Sequence, residues 1–375
     1  MKIGFIARGL TKGGVTRYIE NILKTFDDYF FTENSLNSLV LFTDRKDFKT
    51  AYKNIQVVYI KKSNKIFWDY IKILPHLSKM KLDVVFYPKD IIPFTHIAFN
   101  FKKINIIHDL AHFNKTLNEY KFLDTLYIKT FMRLSCIIAN KVVADSESTK
   151  EDIKKILKIS SQKIIVIYAG VEEKFRPEQN MFIIEQILLK FKIQRPFMFY
   201  CGSLSPRKNI LRTLQAFNEI KNKIPHNIYI AGGQSWHDKN VKEYIKRNLL
   251  NRVFLIGSVS DDELVCFYSV ADLYLYPSLY EGFGLPILEA QACGCPVLTS
   301  NKTSCPEVAG AGAMIVDPYN IDEISAAVER VIMDRKLRED LINKGYENIQ
   351  RFSWEKCARE TLKACEKIFY RVGKI

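Results

Sequence analysis

Apolar and polar positions alternate in blocks along this chain. Short apolar runs at residues 2–7, Leu39–Phe42, Val57–Ile60, Val84–Tyr87, Ile104–Ile107, Val142–Ala144 and Ile164–Ile167 read as buried strands. Segments of helical spacing, such as Val15–Phe26, lie between several of them. Strand and helix in alternation predict a parallel sheet covered on both faces. The pattern restarts at Phe197–Cys201 and continues through Asn227–Ile230, Val253–Ile256, Ala271–Tyr276 and Pro296–Thr299. The fold class is therefore α/β, with two doubly wound halves. Residues 169–196 read as the linker, which places one domain at 1–175, a second at 176–352 and a final helix at 353–375.

Local punctuation supports these elements. Gly13-Gly14 follows the first strand and opens a helix, as a doubly wound domain does where its ligand sits. The dinucleotide spacing G-x-G-x-x-G is absent. Ser148 with Glu151 reads as a capping box, Asp261-Asp-Glu places acids in a first helical turn, and Ser353 precedes the last helix.

Composition narrows the class. The chain has 375 residues, 47% hydrophobic and 26% charged, which is globular and not disordered. Eight cysteines show no C-x-x-C pair, so they read as buried thiols of a reducing compartment. Met1 leads straight into a strand and a polar glycine loop rather than a signal peptide, and no apolar run reaches membrane-spanning length. The expected location is cytoplasmic. The net charge of +15 is uneven: residues 1–175 hold 29 Lys and Arg against 18 Asp and Glu, a net of +11. That half invites an anionic partner. Its most suggestive stretch, residues 60–82, interleaves Lys61, Lys62, Lys65 and Lys72 with Phe67, Trp68 and Tyr70, and residues 115–133 repeat the theme with Lys115, Lys121, Tyr127, Lys129, Phe131 and Arg133. A basic, aromatic amphipathic helix suits an anionic membrane surface. The plainer alternative is a core-facing helix with a solvated opposite side.

The candidate chemistry lies in Tyr276–Val297. A strand ends at Pro277, Gly282 and Gly284 give a loop with almost no side-chain bulk, and Pro286 suits the first turn of a helix running to about Cys293. The amides at Gly284 and Leu285 then form a helix N-terminus, ready for a phosphate. Glu281 and Glu289 flank it and suit the uncharged parts of a ligand, such as sugar hydroxyls. A second loop, Gly202-Ser-Leu-Ser-Pro followed by Arg207-Lys208-Asn209, sets two cations after a strand and a glycine turn, which suits a diphosphate. His108, at the end of strand Ile104–Ile107, points to the crevice where such sheets bind ligands. Asp109 either orients that imidazole or caps the chain locally.

Glu281-Gly-Phe-Gly-Leu-Pro with Glu289, Tyr200-Cys-Gly-Ser-Leu-Ser-Pro-Arg-Lys-Asn-Ile, Pro306-Glu-Val-Ala-Gly and Val316-Asp-Pro together resemble retaining glycosyltransferase family 4, and most of all bacterial surface-polysaccharide mannosyltransferases. Gly13-Gly14 and His108-Asp109 match weaker family positions. The resemblance implies the GT-B fold: two Rossmann-like domains facing each other across a cleft, the first binding acceptor, the second binding the nucleotide-sugar, with the C-terminal helix crossing back to the first. It implies transfer of a hexosyl group, mannose by preference, from a nucleoside-diphosphate sugar to a saccharide or lipid-linked saccharide in surface-polysaccharide assembly. GDP-mannose is the favoured donor, and UDP-hexoses fit the same motif. His108 and Glu281 would attend the reacting sugar. Gly14, Gly202, Arg207, Lys208, Gly284, Leu285 and Glu289 would bind the donor. No metal or other cofactor is expected, since no D-x-D triplet occurs. Many relatives carry Arg directly after the glycine where this chain has Ser203, so Lys208 is the firmer match and Arg207 must supply the second cation if one exists. The expected partners are donor, acceptor and an anionic membrane surface, the chain sitting at the inner face of the membrane. A non-enzymatic basic protein that binds membrane or nucleic acid is the alternative. Nucleic acid is not expected, and binding that survives loss of Lys208 would argue for it.

Overall fold

In a computed structural model, the structure describes residues 1–11, 13–30, 37–114, 117, 122–233 and 238–370. The chain divides into two compact units, one of residues 1–113, 120–170 and 354–375, the other of 114–119 and 171–353.

The first unit holds seven strands: β1 (Lys2–Ala7), β2 (Ser38–Thr43), β3 (Gln56–Tyr59), β4 (Val84–Tyr87), β5 (Lys102–Ile107), β6 (Lys141–Ala144) and β7 (Ile164–Val166). They pair in parallel in the order β3-β2-β1-β4-β5-β6-β7. The second unit holds β8 (Phe197–Cys201), β9 (Asn227–Ala231), β10 (Val253–Gly257), β11 (Leu273–Tyr276), β12 (Val297–Ser300) and β13 (Ala313–Val316), in the parallel order β10-β9-β8-β11-β12-β13. Helices on both faces explain why strands such as β4 are buried at every position instead of alternating. Only β13, four residues with half-buried Met314 and Ile315, has no counterpart among the expected strands.

In both sheets the strand order reverses once. The reversal lies between β1 and β4 in the first unit and between β8 and β11 in the second. Loops leaving adjacent strands on opposite sides open a crevice there, and such crevices take ligands.

The C-terminal helix Trp354–Tyr370 belongs to the first unit. The Trp354 ring meets Tyr18 edge-on at 5.5 Å, and Cys357 Sγ lies 3.7 Å from the Tyr18 hydroxyl. The segment read as a linker holds one short helix, Met181–Lys190, in the second unit, where Phe191 packs on Phe267. The cap of helix Glu147–Leu157 is Ser146, not Ser148. Its extended backbone brings Oγ to within 3.0 Å of the Thr149 amide, which donates to it.

In the basic, aromatic stretch Trp68 and Tyr70 follow the core-facing alternative, while Phe67 stays 45% exposed. Trp68 is fully buried, its Nε1 donating to the Ile60 carbonyl at 3.2 Å, and Tyr70 is buried too. Trp68–Lys72 forms a π-helical turn that carries both rings inward. In the second such stretch Lys115 and Lys121 lie outside the described residues, and Arg133 donates to the Leu157 carbonyl at 3.0 Å.

Candidate active site

The site of the second unit is assembled at the β8/β11 reversal. Gly202 leaves β8, and its carbonyl packs against Gly232 so closely that a Cβ on Gly232 would lie 2.0 Å from that oxygen. Gly232 also holds φ +141°, so glycine is required there on two counts. The chain then turns through Pro206–Lys208. The Leu279 amide donates to the Arg207 carbonyl at 2.7 Å, tying this turn to the loop that follows β11. Asn209 secures the same junction, its Nδ2 donating to the carbonyls of Pro277 and Pro318 at 3.1 and 2.6 Å.

This stitching places three charges together. Lys208 Nζ donates to Glu281 Oε1 at 2.6 Å and to the Tyr276 hydroxyl at 2.8 Å. Arg207 Nη1 donates to Glu281 Oε2 at 2.9 Å. Lys208 and Glu281 are only 8% and 7% exposed. Burial alone would raise the Glu281 pKa, but Lys208 and Arg207 overcome it and hold the carboxyl down at about 2. For Lys208, burial wins and lowers the pKa despite Glu281. The sequence reading sent the two cations to a diphosphate and Glu281 to a sugar; the structure adds that Glu281 is also the counter-ion of both cations.

The loop carrying Glu281 is held from the far side by residues that sequence reasoning missed. Thr303 Oγ1 accepts from the Glu281 amide at 3.0 Å, while Ser304 Oγ lies 3.0 Å from the Glu281 carbonyl and 2.7 Å from that of Phe283. The only sequence signal was a polar Thr-Ser pair just after a strand. The loop ends at Gly284, which caps helix Leu285–Ala292 at φ +116°, with Pro286 in the first turn. The expected helix N-terminus is thus present, three residues beyond Glu281. Glu289 lies on the same helix and is buried, with its charge acting on Tyr268 and Tyr274.

The remaining candidates lie in the first unit. Gly14 is the first residue of helix Gly14–Thr25, and Gly13 caps it at φ +146°. His108 follows β5, with its Nδ1 2.6 Å from Asp145 Oδ2 and its Nε2 2.9 Å from the Pro88 carbonyl. The Pro88 carbonyl can only accept, so Nε2 carries a proton and donates to it. Burial works against a charged imidazole, but Asp145 and then Asp90 prevail and raise the His108 pKa to about 9. Both ring nitrogens of His108 are thus engaged within the first unit. Asp145, not Asp109, orients it. Asp109 Oδ1 accepts from the Ala111 amide at 2.9 Å, a local turn.

Residues 185–348 match the family of glycosyl transferases group 1. The chain is 30% identical to O-antigen chain mannosyltransferase B of Escherichia coli over 70% of its own length and 70% of that protein's. It is 27% identical to the serotype-specific mannosyltransferase WbdA of Escherichia coli over 68% of its length, but spans only 32% of WbdA. A glycosyltransferase from Rickettsia africae superposes with a TM-score of 0.78 at 20% identity, covering 98% of each chain. Two parallel-sheet α/β domains of this kind make the fold GT-B. The chain belongs to the group 1 glycosyl transferases.

Proposed function

We propose that this enzyme is a retaining hexosyltransferase, with mannose from GDP-mannose the favoured donor sugar, acting on a saccharide or lipid-linked saccharide in surface-polysaccharide assembly. The observation that carries the reading is the buried Arg207–Glu281–Lys208 cluster three residues before the helix N-terminus at Gly284. Two cations against one carboxylate leave an excess positive charge, and the helix start adds about half a charge more. A leaving diphosphate fits that excess. In this reading Lys208, Arg207 and the amides at Gly284 and Leu285 take the charge that develops as the glycosidic bond breaks. Gly202 keeps the approach to the diphosphate free of side chains. Glu289 binds ribose hydroxyls, and Glu281 holds the two cations in place while its edge remains near the sugar. The mannosyltransferase names of the relatives support the choice of sugar.

The test is a thermal-shift titration with GDP-mannose, UDP-glucose, UDP-N-acetylglucosamine, GDP and UDP. Each protein is compared with its own ligand-free melting temperature. A ligand at a hundred times its Kd stabilises the native state by about 2.7 kcal/mol. A shift with the guanine nucleotides that is lost in Lys208→Ala supports the reading. A shift with uracil nucleotides alone replaces the donor, and no shift with any of the five sinks the proposal. The anomeric configuration of the product, read by NMR, decides retention.

A further inference from the structure

Two consecutive residues after β12 depart from local rules, and both do so toward the Glu281 loop. The Cys305 amide donates to the Lys302 carbonyl at 3.2 Å, closing a turn with Thr303 and Ser304 at its centre. Thr303 has φ +50°. A positive φ at the first central position of a turn ordinarily selects glycine, and a β-branched residue there is strained. What threonine has and glycine lacks is Oγ1, which accepts from the Glu281 amide at 3.0 Å. Ser304 stands at the N-cap of helix Cys305–Ala309, yet its side chain makes no cap bond. A serine in that position ordinarily turns its oxygen to a first-turn amide. This one is fully buried and shares its hydroxyl between the carbonyls of Glu281 and Phe283, at 3.0 and 2.7 Å. Both residues forgo local stability for the same loop. Strain kept in this way gathers where function needs a geometry held.

The loop has such a need. Glu281 is followed by Gly282, and Gly284 lies two residues further on, so the local backbone does little to fix the acid. Arg207 and Lys208 restrain it weakly, because their charges end long, rotamer-rich side chains. A drift of about 1 Å would take Glu281 out of hydrogen-bond range of one cation, since the two contacts run at 2.9 and 2.6 Å. Thr303 and Ser304 grip the peptide groups on either side of Glu281. They refer its position to the end of β12, a fully buried strand.

We propose that Thr303 is a positioning residue of the transferase site, with Ser304 as its second point of support. It fixes Glu281 so that Arg207 and Lys208 stay side by side and aimed at a diphosphate. The diphosphate rests on the donor reading given above; the control of Glu281 by Thr303 does not.

The test is calorimetric titration of GDP and of guanosine into the full-length wild type, Thr303→Val, Thr303→Ser and Thr303→Gly. Thr303→Val keeps the branched shape and loses the acceptor, and should weaken GDP about fivefold, the worth of one hydrogen bond. Thr303→Ser keeps the acceptor and should bind GDP as the wild type does. Thr303→Gly should bind GDP as weakly as Thr303→Val although it melts higher, because it relieves the backbone without restoring the acceptor. Guanosine, which has no diphosphate, should bind all four alike. Wild-type GDP binding by Thr303→Val, equal losses in Thr303→Ser, or a parallel loss of guanosine would each overturn the proposal. Should UDP bind in place of GDP, the same series is read with UDP and uridine.

A urea-unfolding cycle reads the control of Glu281 without ligand. Thr303→Val should raise the unfolding constant by a smaller factor in the Lys208→Ala background than in the wild type, by about threefold. Equal factors in the two backgrounds would overturn that control. If no nucleotide binds while the cycle shows this coupling, the donor reading falls and the positioning of Glu281 stands.

Discussion

The two units solve one topological problem with different chemistry. Each reverses its strand order once and opens a crevice beside its first strand. In the second unit that crevice is walled by backbone and by a compact charge cluster: glycine against glycine at residues 202 and 232, then Arg207 and Lys208 locked on Glu281. In the first it is walled by side chains from distant segments, and its outer edge is apolar. Close backbone approach suits a ligand whose charge is fixed and always alike, such as a diphosphate. A side-chain wall can vary without disturbing the sheet, which suits the partner that differs from one enzyme to the next. The buried ion pairs differ in the same sense. His108–Asp145 is one cation against one anion, with the other ring nitrogen also satisfied. Arg207–Glu281–Lys208 keeps a positive charge over.

The surplus sets the largest expected effect. Removing one partner of a buried pair strands the other, at about 3–5 kcal/mol. Glu281→Ala strands two like charges side by side and should lose at least about 3 kcal/mol of unfolding free energy, measured by urea denaturation. Lys208→Ala leaves Arg207 on Glu281 and should lose less. If Glu281→Ala loses under about 1 kcal/mol, the cluster behaves as a surface pair and the contrast fails.

The two pairs should also respond to opposite ends of the pH scale. His108 rises from 6.5 to about 9, worth about 3 kcal/mol. Because the folded value is the higher one, this stabilisation is complete below pH 6.5 and is lost as pH climbs through 9. Glu281 falls from 4.5 to about 2, so its contribution is complete above pH 4.5 and is lost as pH drops through 2. Urea unfolding at intervals from pH 6.5 to 9.5 should show a decline in the wild type that His108→Gln removes. A decline that survives in that variant would place its origin elsewhere.

The glycine loops extend the comparison at smaller magnitude. Gly232→Ala meets a backbone oxygen and a positive φ at once, and should lose about 2 kcal/mol. Gly14 has open space around its missing Cβ and sits in the first turn of a helix, so Gly14→Ala should be neutral or gain up to about 1 kcal/mol. Equal thermal shifts for the two would remove the distinction between a backbone-walled crevice and an open one.

What could be read from the sequence follows from range. The strands, their parallel arrangement and the helix start at Gly284 are written in neighbouring residues, and they appear in the structure where the apolar runs and glycines put them. The pairing of Lys208 with Glu281 spans 73 positions, and that of His108 with Asp145 spans 37. No local pattern encodes either. The motif singled out Arg207, Lys208 and Glu281 in the second unit without revealing that the acid pairs with both cations. For His108 the strand end was right, but the acceptors on both ring nitrogens come from Pro88 and Asp145, which no spacing relates. For residues 60–82 the sequence left a core-facing and a membrane-facing reading open, and Trp68 and Tyr70 follow the first, on a π-helical turn that no local pattern announces.

The smallest expected effect tests a local correction. Ser-Glu-Ser-Thr at positions 146–149 offers two serines as caps for one helix. Ser148 has Glu151 three residues on, the usual capping-box spacing, which is why it draws the eye. A cap residue, however, must stand outside the helix with extended backbone, and Ser146 does so at φ −152° and ψ 162°. By position 148 the chain is already helical, so that side chain cannot reach an unpaired first-turn amide. Ser146→Ala should therefore lose about 1 kcal/mol. Ser148→Ala should stay within about 0.5 kcal/mol. Both are measured by the same urea titration. Ser146 follows Asp145 directly, so fraying of this helix start would also loosen the carboxylate that holds His108. A Ser146→Ala variant should then show a weaker alkaline decline than the wild type, whereas Ser148→Ala should keep it unchanged.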